Sequence, residues 1–361
     1  MAALTLIGES FPDFEARTQA AASRCLAEAL AETAPRGCSS RLLLARDTKP
    51  PTLHSARARV EAVPMSTGAL PILWRTGATA RPLDGEFVHS NTPLVPLRAR
   101  AEDDGSQTSV VIPHTLAWHA PELMGASHAK AFRAFAKRAA RLADALLAPT
   151  HTVAEQLREL FGVDVQVLPL AAPTEYLASP ESDGIRAALH LPQRYIATTA
   201  LPGENGRLDW LLDAMEANPA LPPLVVLHFG AEPLPPVRDS LASRVGVVQV
   251  LDLAQVGAVL SGARLLALPQ NSLGAGYEVL GALDAHVPVL HGECDAAAEL
   301  ALDAAIRAGS KEEFASMLAL LLTSEQGEQQ LSRLRIFAED RKRSFGWLST
   351  AWQLWELHAN M

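Results

Sequence analysis

The sequence predicts an α/β protein built as two doubly wound, parallel-sheet domains. Short apolar runs alternate with amphipathic helical stretches along the chain, the pattern of parallel sheets flanked by helices. The alternation breaks once, between Pro169 and Pro192, and then restarts. The length of 361 residues is also enough for two cores at roughly 100–200 residues per domain. The expected division is an N-terminal Rossmann-like domain over residues 1–170 and a second over 171–345. Residues 346–361 form a tail helix.

Before the break, strands are expected at residues 4–8, 40–45, 87–89, 109–112, 145–147 and 165–168. The clearest helices are 15–33, 126–143 and 152–161, the last opened by a capping box, Thr152-Val-Ala-Glu155. Residues 47–84 are rich in Pro, Arg and Gly and read as loops, with one strand near residues 72–74. The linker carries a short helix. After it, strands at 195–199, 224–229, 247–250, 264–268 and 287–291 alternate with helices near 207–217, 254–262, 277–285 and 311–323. An amphipathic tail runs from about residue 328 to 358.

Composition excludes several classes. No run approaches the ~18 apolar residues of a membrane span, and residues 1–8 read as a buried strand because no basic flank precedes them. Cys25, Cys38 and Cys294 lie too far apart for a disulfide framework or a Cys-rich metal site. The net charge is −9, which disfavours nucleic acid. It is lopsided: residues 1–170 carry +1 and residues 171–361 carry −10. A cytoplasmic location is expected, with no metal and no resident cofactor.

Several strings resemble retaining GT-B glycosyltransferases of family four, most closely bacterial mannosyltransferase-like members. They are Val88-His-Ser-Asn-Thr-Pro-Leu-Val-Pro-Leu97, Val110-Val-Ile-Pro-His-Thr-Leu-Ala-Trp-His-Ala-Pro-Glu122 and Arg141-Leu-Ala-Asp-Ala-Leu-Leu-Ala-Pro-Thr-His-Thr-Val153. Ser261-Gly-Ala-Arg-Leu-Leu-Ala-Leu-Pro269, Val287-Pro-Val-Leu-His-Gly292 and the Trp-rich tail continue the likeness, which covers residues 85–361 well and the first 80 weakly. The resemblance implies a GT-B fold whose two Rossmann-like domains face a cleft. It places the acceptor on the first domain, the nucleotide-sugar on the second, and the last helix back on the first.

This sequence departs from the family at three functional positions. The family's Arg-Lys diphosphate clamp falls in Thr199-Ala-Leu-Pro-Gly-Glu-Asn-Gly-Arg207. Glu204 and Asn205 occupy the pair in one alignment and Asn205 and Gly206 in the other, with Arg207 beside them as a substitute cation. The family's Glu-x7-Glu motif falls in Pro269-Gln-Asn-Ser-Leu-Gly-Ala-Gly-Tyr-Glu-Val-Leu-Gly281, where Leu273 and Gly281 stand at the glutamate positions. Leucine cannot stabilise developing positive charge and glycine cannot grip a ribose. Glu278 falls between them and points to another helix face. Asn271, Ser272 and Tyr277 complete the implied donor-binding set, and Gly274 and Gly276 could cradle an anion at a helix N-terminus or simply make a tight turn. Their spacing is not a dinucleotide fingerprint, which argues against a nicotinamide enzyme. The family's strand-end histidine aligns with Pro113; a one-residue slip puts His114 there, with His119 close behind.

Lys130, Arg133, Lys137 and Arg141 share one helical face opposite Phe132, Phe135, Ala139 and Leu142. The face is either an ordinary solvated surface or, as in lipid-directed relatives, a dock for an anionic membrane or acceptor at the inner face of the membrane. Trp347, Trp352, Leu354 and Trp355 read as a packing stripe. Two functions follow from the resemblance. One is a catalytically inactive or much weakened member acting as partner or regulator of an active glycosyltransferase. The other is an active retaining hexosyltransferase that moves a sugar from a GDP-mannose-like donor to a glycan or lipid acceptor. Whether the chain is an enzyme stays open between them.

Overall fold

The structure is a computed structural model, described for residues 2–76, 87–99, 105–230, 234 and 237–361. The chain forms two compact units, one running to Ala171 and taking back Gly346–Met361, the other Ala172–Phe345.

Unit 1 contains β1 (Ala2–Ile7), α1 (Ala16–Glu32), β2 (Cys38–Ala45), β3 (Ala58–Val63), α2 (Leu70–Thr76), β4 (Phe87–Ser90) and β5 (Gln107–Val111). It continues with α3 (Leu116–His119), α4 (Ala126–Leu142), β6 (Ala145–Ala148), α5 (His151–Phe161) and β7 (Gln166–Val167). Its seven strands pair in parallel in the order β3-β2-β1-β4-β5-β6-β7. Alternation along β1 sends Leu4 and Leu6 to one face, with Leu26 and Leu30 of α1, and Ile7 to the other, with Phe132 and Phe135 of α4.

Unit 2 contains α6 (Ser182–Ala188), β8 (Ile196–Thr198), α7 (Leu208–Ala217), β9 (Leu224–His228), β10 (Val245–Gln249), α8 (Ala254–Gly262) and β11 (Leu265–Leu268). It continues with α9 (Tyr277–Asp284), β12 (Val289–His291), α10 (Asp295–Ala301), β13 (Ala305–Arg307), α11 (Lys311–Thr323) and α12 (Glu325–Arg341). Six parallel strands run in the order β10-β9-β8-β11-β12-β13. Every residue of β9 and β11 is buried, as parallel strands covered on both faces require, and both are continuous apolar runs up to His228.

The amphipathic tail is not one helix. Unit 2 keeps α12, and an extended Gly346 starts α13 (Trp347–Asn360), which packs on α1 in unit 1. Leu354 and Trp355 enter the core beside Leu30, each contributing about 2 kcal/mol of apolar burial. Trp355 Nε1 donates to the Leu30 carbonyl at 3.1 Å and Thr350 Oγ1 to that of Pro169 at 2.6 Å.

Four local expectations are corrected. Residues 72–74 are helical: Pro71 fits a first turn, and Leu70 and Trp74 are buried one turn apart while Ile72 is 63% exposed. The rest of the expected loop holds β3, a largely exposed edge strand whose Arg59 and Glu61 hide its pattern; residues 77–84 lie outside the described residues. The cap of α5 is Thr150, whose hydroxyl accepts from Val153 N, two residues before the expected capping box. Both α10 and β13 went unread, the strand because it is only three residues at a sheet edge. Among the described residues no helix is long and apolar enough to cross a membrane.

Candidate functional site

Doubly wound sheets bind ligands outside the carboxyl ends of their strands, where strand order reverses. In unit 2 that point lies between β8 and β11, so the site is built from residues 199–207 and 269–276. The two loops are tied across the point. Asn271 donates from its backbone to the Asn205 carbonyl at 3.3 Å and from Nδ2 to Asn205 Oδ1 at 2.7 Å. Ser272 Oγ donates to Asn271 Oδ1 at 3.3 Å, and Gln270 Nε2 to Thr199 Oγ1 at 3.3 Å.

Neither alignment presents an Arg-Lys pair here. Glu204 is exposed and Asn205 is half-buried in the amide bridge. A Cβ on Gly206 would lie 2.0 Å from the Leu201 carbonyl oxygen, so in the second alignment no lysine fits. Arg207 sits in left-handed backbone, φ 53°, just ahead of α7. Its guanidinium lies 4.5 Å from the Trp210 ring centre and 3.7 Å from the Glu293 carboxylate.

The two glutamate positions are occupied by packing. Leu273 is buried. Gly281 faces α8 and the segment before α6: a Cβ there would meet Leu260 Cδ1 at 2.8 Å and Tyr176 Cδ2 at 3.0 Å. Gly276 has φ 80° at the start of α9, the conformation this turn needs, while Gly274 is half-buried. Tyr277 is buried in the core. Glu278 is half-buried, and its carboxyl is raised above the usual range by desolvation.

In unit 1, His114 follows β5 but does not reach the surface. Its ring stacks on Phe132 at 4.8 Å and faces Phe14 at 6.4 Å, and it is 1% exposed. Neither ring nitrogen has a hydrogen-bond partner, and burial lowers the imidazole to about 3. Its Nε2 lies 3.9 Å from both Asp13 Oδ2 and Glu15 Oε2, on the loop after β1, and burial raises Asp13 to about 7. Sequence reading passed over these two acids. Their position just after the first strand, beside the reversal between β1 and β4, was the available signal. His119 is exposed.

On α4, Lys130, Lys137 and Arg141 are exposed, whereas Arg133 donates to the Ala117 carbonyl and Arg138 to that of Leu97. Phe132, Phe135 and Ala139 are buried beneath them. Among the described residues no group of three His, Cys, Asp or Glu side chains is placed to hold a metal.

Strand order, the loops at the reversal and the returned last helix define the GT-B glycosyltransferase fold. Residues 20–171 match the sequence profile of the Glycosyl transferase 4-like domain. Among solved structures, sucrose-phosphate synthase from Thermosynechococcus elongatus superposes with a TM-score of 0.71 at 16% identity, covering 100% of this chain and 99% of that one. HepE from Anabaena, solved in complex with UDP-glucose, gives 0.66 at 14% identity with 100% of both chains covered. WaaG, a glycosyltransferase involved in lipopolysaccharide biosynthesis, gives 0.60 at 15%, covering 97% and 98%. No curated protein sequence matches the chain.

Proposed function

We propose that this is a glycosyltransferase-fold protein whose donor site has been converted to packing, so that it is catalytically inactive or much weakened and serves as partner or regulator of an active glycosyltransferase. The observation that carries the reading is Gly281. A ribose-gripping glutamate at that position would have to displace Tyr176 and Leu260. Leu273 in the core and Gly206 against Leu201 support it. One electrostatic contact to a developing charge is worth ~10²–10³ in rate, so losing several together leaves little catalysis.

The second reading is an active retaining mannosyl- or hexosyltransferase. It is favoured by the match of residues 20–171 to a glycosyltransferase domain and by the UDP-glucose bound in HepE. It would place the acceptor on unit 1 and the nucleotide-sugar on unit 2. The test is incubation with GDP-mannose, UDP-glucose and UDP-N-acetylglucosamine, following nucleotide release and thermal shift. Neither turnover nor a nucleotide-dependent shift is expected; micromolar binding with transfer or hydrolysis overturns the proposal. In either reading Lys130, Lys137 and Arg141 suit peripheral contact with an anionic membrane.

A further inference from the structure

We infer that the outer edge of the unit 2 sheet, strand β10, is a docking site for an extended segment of a partner protein that carries an apolar side chain between basic residues. The site lies apart from the strand-order reversal, with β9 standing between β10 and β8. Docking there is independent of whether unit 2 uses a sugar donor.

The backbone of β10 is open on the side away from β9. The Leu224 amide donates to the Arg244 carbonyl at 2.8 Å and the Val250 amide to the His228 carbonyl at 2.9 Å, so residues 244, 246, 248 and 250 face β9. Alternation turns the N–H and C=O of Val245, Val247 and Gln249 outward, where no backbone bond joins them to any described residue. The other sheet edges are guarded. Strand β3 carries Arg59 and Glu61, β13 has three residues and Arg307, and β7 has only two residues. Strand β10 is five residues long and holds no charge, and Gly246, Val247 and Gln249 are exposed. An open, uncharged, valine-rich edge is the template that strand addition needs.

Beside this edge is a cavity of about 150 Å³, whose lining includes Leu208 and Leu212 of α7, Val226 of β9, Val245 and Val247 of β10, and Asp209. Among the described residues the connection from β9 to β10 supplies only one helical turn, Asp239–Leu241, and Val247 is left 45% exposed. A space of that size holds one benzene-sized group. A residue laid opposite Val247 on an added strand shares its face, so an apolar side chain there enters the cavity.

Charge selects what flanks that side chain. Arg238 is bound to Asp213 and Glu216, Lys311 to Asp209 and Asp213, and Arg244 to the carbonyls of Met215, Asn218 and Leu221. Asp239 and Asp252, both exposed, stand beyond the two ends of β10. These five acids outnumber the three cations, within a half of the chain that carries −10. A segment flanked by Lys or Arg is therefore favoured, and a second copy of this acidic edge is opposed.

The experiment measures binding to the full chain of a labelled peptide with the core Val-Thr-Phe-Thr-Val between Arg-Arg pairs, by fluorescence anisotropy. A micromolar Kd is expected, weakened about tenfold or more by 0.5 M salt, by Glu-Glu flanks, or by alanine in place of the phenylalanine. Hydrogen exchange across residues 245–249 should slow when the peptide is bound. Val247→Pro removes an outward N–H, which an edge strand tolerates, and should abolish binding. Val247→Lys, which places a charge on the edge, serves as the second variant should the proline variant fail to fold, and should weaken binding about tenfold. Lys137→Glu, on unit 1, should leave it unchanged. Overturning results are no binding of the Arg-flanked peptide to the folded chain, equal binding of the Glu-flanked one, or binding that both Val247 variants retain. A dimer of the free chain that Val247→Lys dissociates would also overturn it, assigning the edge to a second copy. Sugar transfer from a nucleotide donor would overturn the proposed function and leave this site standing.

Discussion

His358 Nε2 lies 2.9 Å from Ser109 Oγ, joining the last helix to the middle of the unit 1 sheet. The bond belongs to a chain whose proton positions follow from its ends. Asn91 Oδ1 can only accept, so His89 Nε2, 3.1 Å away, carries the proton. His89 Nδ1 is then an acceptor, and the Ser109 hydroxyl donates to it at 2.8 Å. Ser109 is left to accept from His358 Nε2. His358 Nδ1 lies 3.2 Å from Gln107 Oε1. Asn91 Nδ2 extends the network to Ser23 of α1 at 3.3 Å.

His358→Ala should therefore cost about 2–4 kcal/mol, the sum of a small cavity and orphaned polar partners. The urea midpoint measures it, and hydrogen exchange should accelerate first in α13. A loss below ~0.5 kcal/mol with unchanged exchange would show that the chain does not hold the helix.

The same burial sets the acid limit of the fold. Desolvation lowers His89 and His114 to about 3 and His358 to about 4, with the neighbouring His358 also lowering His89 and Asp144 partly restoring His358. The unfolded chain protonates these imidazoles near pH 6.5, so it binds more protons than the folded chain below that pH. Stability from all three is lost as pH falls from 6.5 towards 4. Asp13 works the other way. Its folded value of about 7 lies above the unfolded value of 3.8, so its contribution rises as pH falls from 7 to 3.8. Three groups outweigh one, and the melting temperature should drop below pH 6.5. Asp13→Asn keeps the acceptor used by Glu15 N and should stabilise the protein at pH 8 by on the order of 2–4 kcal/mol, steepening the acid loss. Equal melting temperatures at pH 8 would refute the burial of that charge.

Placing a glutamate at position 281 should not create a donor site. Gly281→Glu must displace Leu260 and Tyr176 and bury a carboxylate, at a cost of about 3–5 kcal/mol, while Gly281→Ala costs about 1–3 kcal/mol from overpacking alone. Denaturant titration of both variants separates the two costs. A folded Gly281→Glu chain that gains nucleotide affinity would contradict this account.

What the sequence made legible was fixed locally. Buried parallel strands such as β9 and β11 are continuous apolar runs, and the residues at 204, 205, 273 and 281 could be set one at a time against the motifs that the resemblance implies. What it concealed depends on partners far along the chain. Tyr176 explains Gly281, Asp13 and Glu15 surround His114, and Asn271 reaches Asn205, yet none of these pairings leaves a periodic trace. Edge strand β3 was unreadable for another reason, since an exposed strand carries no apolar alternation.

The α4 surface gives the last prediction. Lys130, Lys137 and Arg141 are exposed, while Arg133 and Arg138 are held by carbonyls of their own unit, so three cations are presented. Near an anionic bilayer each is worth about 1 kcal/mol, screened by salt. The chain should co-sediment with phosphatidylserine-containing vesicles at low salt and be released at about 0.5 M salt, where the Debye length is only a few ångströms. Lys137→Glu combined with Arg141→Glu reverses two of the three charges and should abolish the binding. The fold should survive, because neither side chain is buried and the Phe132–Phe135 contact beneath is untouched. Vesicle binding that ignores both salt and this double substitution would assign the contact to another surface.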